Sequence, residues 1–142
     1  MKSNEIQTLA NLEEQLNRKL YHTTIPYIWF DAYDDKDNIY EFKFRNKDYS
    51  TFVIEFRKWS NNSMFADINK KRFIYVVVAG TNTYVFDISK MNEENHNYSW
   101  QWNNMKKTTE FSKNNYVQKY VGYIPKDKAV MIFKTKDIDF LY

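Results

Sequence analysis

The chain has 142 residues and a net charge of +3, with 43% hydrophobic and 19% aromatic residues, enough core formers for one folded domain and too many for disorder. It has no cysteine and only two histidines, His22 and His96, far apart, which excludes disulfides, thiolate metal sites and an imidazole-based zinc site. With two glycines it has no glycine-rich phosphate loop, and no serine stands in a nucleophile-elbow context, so P-loop, dinucleotide-binding and serine-hydrolase classes are set aside.

The first elements read as a helix and a hairpin. Asn4 and Gln7 are placed as a capping box, and an apolar stripe follows at Ile6, Leu9, Leu16 and Leu20, with Leu12 on its shoulder and Glu13 where a leucine is expected. The charges in this start, and the lack of any later apolar run long enough to span a membrane, predict a cytoplasmic protein. Pro26 ends the helix and opens an extended run, PYIWFDAY, that puts Tyr27, Trp29, Asp31 and Tyr33 on one face. DDKDN is a polar turn, and the next strand, 39–45, alternates Glu41, Lys43 and Arg45 on one side with Tyr40, Phe42 and Phe44 on the other.

Beyond the hairpin, FVIEFRKWSNNSMFADI reads as strand then helix, RFIYVVVAG as a buried strand turning at Gly80 and Asn82 into TYVFDI, and 90–97 as a polar stretch. SWQWNNMKKTTEF, YVQKYVGYIP and AVMIF follow as later strands. The order predicts a single α/β (α+β) domain over 1–142 with a central mixed sheet flanked by helices. The basic residues crowd into 43–72, which suits a nucleic-acid partner and equally suits solvated lysines.

A turn centred near Lys36 places Asp31 directly across from Glu41, Trp29 across from Lys43 and Tyr27 across from Arg45. Opposed carboxylates on paired strands repel unless a cation bridges them, and hard oxygen ligands suit Mg²⁺ or Mn²⁺. Lys43, on the same face as Glu41, is placed to orient a water. The bland reading of the same residues is a turn-forming Asp31 and two solvated charges.

Asp31 followed ten residues later by Glu41-Phe42-Lys43, after an acidic first helix and before a strand-rich half, resembles the D…(D/E)xK core of the PD-(D/E)XK nuclease superfamily, in its small phage-encoded form. Glu55 and Lys58 in IEFRKW, and the later run Trp102, Met105, Thr108, Thr109, Phe111, add to the likeness, while no proline precedes Asp31. The resemblance implies a restriction-endonuclease-like core and a metal-dependent nuclease located in the host-cell cytoplasm. Asp31, Glu41 and the Phe42 carbonyl would hold Mg²⁺ or Mn²⁺, and Lys43 would position the attacking water. Glu13 is a further metal-ligand candidate from the first helix, or a boundary residue reaching water, and Glu55 a further active-site acid.

Arg45, Lys47, Lys58, Lys106, Lys107, Thr108, Thr109 and Lys119 are candidate phosphate contacts. Trp102, alternating with Trp100, is either a base-stacking platform or part of the core. Lys119 either faces inward or snorkels to the surface. Nucleic acid, DNA before RNA, is the expected partner, with a host protein or a second copy of the chain as further partners. The alternative function is a nuclease-like fold retained without catalysis as a module that binds a host protein or nucleic acid.

Overall fold

The structure is a computed structural model that describes residues 2–106 and 116–136. Helix α1 (Ser3–Leu16) is followed by β1 (Leu20–His22), β2 (Ala32–Asp34), β3 (Asn38–Arg45), β4 (Thr51–Glu55), α2 (Phe56–Asn69), β5 (Arg72–Ala79), β6 (Asn82–Asp87), α3 (Ile88–Glu93), β7 (Gln101–Lys106), β8 (Tyr116–Pro125) and β9 (Met131–Lys134). Six strands form one sheet in the order β1-β2-β3-β5-β6-β9, and β4-β8-β7 form a second. Among the described residues only the β3–β5 pair is parallel, because the chain leaves the sheet through β4 and α2 before returning. The α+β class with a mixed sheet is as the sequence predicts. Among the described residues, no helix is long and apolar enough to cross a membrane.

The pleat of β3 sorts its side chains onto two covered faces. Tyr40 and Phe42 pack with Leu12, Leu20, Ile74 and Val76 beneath α1, and Phe44 joins from the margin. Ile39, one position out of phase, joins Phe73, Tyr75 and Val77 under α2 and the second sheet. Tyr75 ties the two sheets together by donating its hydroxyl to the Val53 carbonyl at 3.0 Å. The face that carries Glu41 is therefore no solvated surface: Glu41 is 2% exposed, as dry as Phe42 at 5%.

Four sequence expectations are corrected. In the apolar stripe of α1, Leu12 is fully buried and Leu9 and Leu16 pack against the same cluster, whereas Ile6 is 54% exposed, Thr8 takes a buried place and Leu20 belongs to β1. Its N-terminal box joins Lys2 and Glu5, the Lys2 N–H donating to Glu5 Oε2 at 3.1 Å, in place of Asn4 and Gln7. The extended run from Pro26 is strand only over Ala32–Asp34, so Trp29 and Tyr27 do not pair with Lys43 and Arg45. Asp31 ends the ladder: its Oδ2 takes the Phe42 N–H at 2.8 Å, the donor that a backbone carbonyl of a longer strand would claim. The polar stretch 90–97 also contains the end of α3, whose start is capped by Asp87 Oδ1 accepting from the Lys90 N–H at 3.0 Å.

Candidate active site

The turn residues bring Asp31 near Glu41. Asp34 Oδ1 accepts the N–H groups of Lys36 and Asn38 at 2.8 and 3.0 Å, and its Oδ2 accepts the Tyr40 hydroxyl at 2.5 Å, fixing a tight turn with Asp37 in the left-handed region. The resulting register pairs Ala32 with Tyr40, where the ladder ends, and the Asp31 N–H donates to the same Tyr40 carbonyl at 2.8 Å. Asp31 thus lies past the last ladder pair, close enough to Glu41 for its charge to act on the Glu41 carboxyl. Because N–H and C=O of one strand residue point the same way, the Phe42 carbonyl opens beside its N–H into the gap where β2 has ended.

The Glu41 face is completed by β4, α2 and β8. Lys58, in the first turn of α2, donates to Glu41 Oε1 at 2.8 Å, and Lys119 of β8 reaches Glu55 at the end of β4 at 2.5 Å. Lys119 therefore faces inward rather than snorkelling, and Lys58 is paired with Glu41. Between the two ion pairs lies Lys43, which has no hydrogen-bond or ion-pair partner among the described residues. Glu41 Oε2 is buried and likewise has no partner among them.

The electrostatics follow from dryness and charge order. Burial, with the Asp31 charge beside it, pushes the Glu41 carboxyl up to about 8 against the pull of Lys58. Burial also raises Asp31, partly offset by the Phe42 N–H, and the charge of Glu5 on α1 adds to the rise. Lys43 is brought down to about 8, by burial first and then by the neighbouring positive charge of Arg45, with Lys58 and Lys119 acting in the same direction. Burial works against ionised Glu55, but the Lys119 hydrogen bond and the surrounding lysine charges outweigh it and hold Glu55 below its usual range. Lys58, despite burial, is raised by Glu41. Near neutral pH the Asp31–Glu41 pair thus resists losing its last proton, and an unpaired amine close to its own titration stands on the same strand.

The residues meet the requirements of a lean site for one hard divalent cation. Glu41 Oε2 is an orphaned buried acceptor beside a second carboxylate whose Oδ1 makes no hydrogen bond among the described residues, with the Phe42 carbonyl at the same strand end. No group of three Asp, Glu or His side chains able to hold a metal occurs among the described residues, but Mg²⁺ is commonly held by one or two carboxylates and completed by water and substrate phosphate.

The other candidates divide clearly. Glu13 is committed elsewhere, its Oε2 accepting the Leu20 N–H at 2.9 Å with Lys19 at 3.7 Å, because it sits where α1 hands over to β1. The α1 acid felt by Asp31 is Glu5, one turn from the helix start. Arg45 is half-buried next to Lys43, and Lys47 is exposed in the β3–β4 connection. Trp100 packs among Phe56, Trp59 and Tyr98, whereas Trp102 is 65% exposed. Lys106 ends β7, and Lys107, Thr108, Thr109 and Phe111 lie outside the described residues.

Compared with protein-family models, with curated proteins and with solved structures, the chain finds no match in any of the three.

Proposed function

We propose that the chain is a metal-dependent phosphodiesterase acting on nucleic acid, DNA before RNA, with a site of the PD-(D/E)XK kind. The observation that carries this reading is the buried Glu41 carboxyl on β3, one of its oxygens without a partner among the described residues, with the Asp31 carboxyl at the end of the β2 ladder beside it and the unpartnered amine of Lys43 two residues along the same face. Asp31, Glu41 and the Phe42 carbonyl would hold Mg²⁺ or Mn²⁺. When bound, the ion supplies charge neutralisation at the phosphate and a more acidic water. Lys43 orients the attacking water and, with its amine brought down to about 8, can take a proton near neutral pH. Lys58 holds Glu41 Oε1 so that Oε2 stays aimed into the site.

A metal-dependent cleavage assay on duplex, branched and single-stranded substrates tests the proposal. Lys43→Ala should lose roughly a hundredfold or more in rate while retaining metal and nucleic-acid binding. A wild-type protein inert on every substrate with both ions would overturn it. The Glu41–Lys58 ion pair at 2.8 Å favours one second reading, in which an internal ammonium replaces the metal and the fold serves as a non-catalytic module for a host protein or nucleic acid. That reading requires that Mn²⁺ and Mg²⁺ leave the melting temperature unchanged.

A further inference from the structure

Beside the acid–lysine cluster lies a cavity of about 590 Å³ that takes in Lys58 and the Glu55–Lys119 ion pair and is walled by Trp29, Arg57, Trp102 and Tyr120. The chain has four tryptophans, and they divide sharply. Trp59 and Trp100 pack against each other at 4.9 Å in the aromatic cluster beneath, whereas Trp29 and Trp102, 44% and 65% exposed, both line the cavity. Neither is loosely placed. The Trp102 ring lies 5.2 Å from Tyr120, and the Arg57 guanidinium lies over Trp29 at 5.6 Å from the ring centroid. Arg57 forms no ion pair among the described residues, so its donors remain available to an anion.

We propose that this cavity is a slot for an unstacked nucleobase, so that the strand attacked by the neighbouring cluster is single-stranded at that point; the inference rests on the phosphodiesterase reading above. An aromatic ring already held by a neighbouring group loses little entropy on stacking, and every base has a π-face to offer, but only when it has left the duplex stack. Arg57 adds a cation at the rim, where the phosphate of a base seated between aromatic walls must lie. The volume falls in the range of ordinary small-molecule sites, ample for one nucleoside. The elements that form the walls are held by the same contacts that form the cluster: Lys119 and Tyr120 are consecutive on β8, and Arg57 and Lys58 on α2.

Fluorescence anisotropy with EDTA present, using fluorescein-labelled oligothymidylate, oligouridylate and a blunt duplex, tests the slot without cleavage. Trp102→Ala and Trp29→Ala should each weaken binding of at least one single strand by about five- to a hundredfold, with the duplex changed by about twofold at most. Trp102→Phe should recover most of the loss, and an oligonucleotide carrying abasic residues should show the same loss with wild-type protein. Unchanged single-strand affinity in Trp102→Ala, an equal loss on duplex, or undiminished binding of the abasic strand would overturn the slot. The two proposals fail separately. Trp102-dependent binding without cleavage in Mn²⁺ or Mg²⁺ sinks the enzyme and keeps the slot, whereas single-strand binding and cleavage untouched by Trp102→Ala sink the slot and keep the enzyme.

Discussion

Glu41→Gln in metal-free protein isolates the cost of ionising a buried carboxyl, because glutamine keeps the shape and keeps an oxygen for the Lys58 amine. The folded chain holds the Glu41 proton up to about 8, whereas the unfolded chain releases it near 4.5. Across that window the native state binds more protons, so wild-type stability falls as pH rises from the lower value to the higher. The full difference corresponds to roughly 4–5 kcal/mol, and chain relaxation and water entry reduce what a denaturation experiment reads to about 2–4 kcal/mol. Lys58, raised by Glu41, remains charged throughout and contributes no slope. Asp31 is raised by burial and by the charge of Glu5, which the substitution leaves in place. Urea unfolding with EDTA at steps from about pH 5 to about pH 8.5 should therefore find the two proteins within about 0.5 kcal/mol at the acid end, with the variant ahead by about 2–4 kcal/mol at the alkaline end. Parallel stability curves would refute the reasoning, since they would mean that Glu41 ionises as easily folded as unfolded.

Lys43→Met should stabilise the protein by about 1–3 kcal/mol at neutral pH, a gain that shrinks as pH rises from about 8 toward 10.5 because the folded amine has lost its charge there while the unfolded one has not; urea titrations at both ends check it. Asp31→Asn keeps an acceptor for the Phe42 N–H and removes the opposed charge, so calorimetry should lose the Mn²⁺ signal while the melting temperature holds or rises, by the equivalent of about 0.5–1 kcal/mol. Tyr40→Phe leaves Asp34 without its 2.5 Å hydroxyl donor in a buried turn and should cost about 1.5–3 kcal/mol in denaturant unfolding. Gly122→Ala would set a Cβ 2.8 Å from both Trp100 Cζ3 and Tyr98 Cβ, and should destabilise by about 1–3 kcal/mol with a changed tryptophan emission, whereas Gly80→Ala, with open space around it, pays only for its positive φ.

The hairpin was readable because its information is local: DDKDN fixes the turn, the turn fixes the register of Ala32 with Tyr40, and the chain then leaves Asp31 near Glu41. The face was only half readable. Alternating charge and aromatic residues look like one dry side and one wet side, and nothing within 39–45 reveals that β8, far along the chain, returns to cover the wet one. The acid that pairs with each of Lys58 and Lys119 stands on another element and is therefore not legible in the sequence around them. Trp29 escaped for the opposite reason. Its strand-like surroundings assign it a ladder partner, but Asp31 closes the ladder with its own side chain and leaves the preceding residues to loop toward Arg57.

The pairing of β4 with β8 also orders events on the ribosome. Thr51 pairs with Pro125 and Glu55 with Val121, so β4 emerges roughly 70 residues before its partner, a delay on the order of ten seconds at ordinary synthesis rates. The six-stranded sheet has the same problem only at β9, since β1, β2, β3, β5 and β6 find neighbours as they appear. Through that interval the nascent chain carries an unpaired strand containing Phe52 and Ile54, and Glu55 lacks Lys119. The second sheet and the Glu55–Lys119 ion pair thus form in the same late step, and a chain stalled before β8 should expose β4 and lack that pair together.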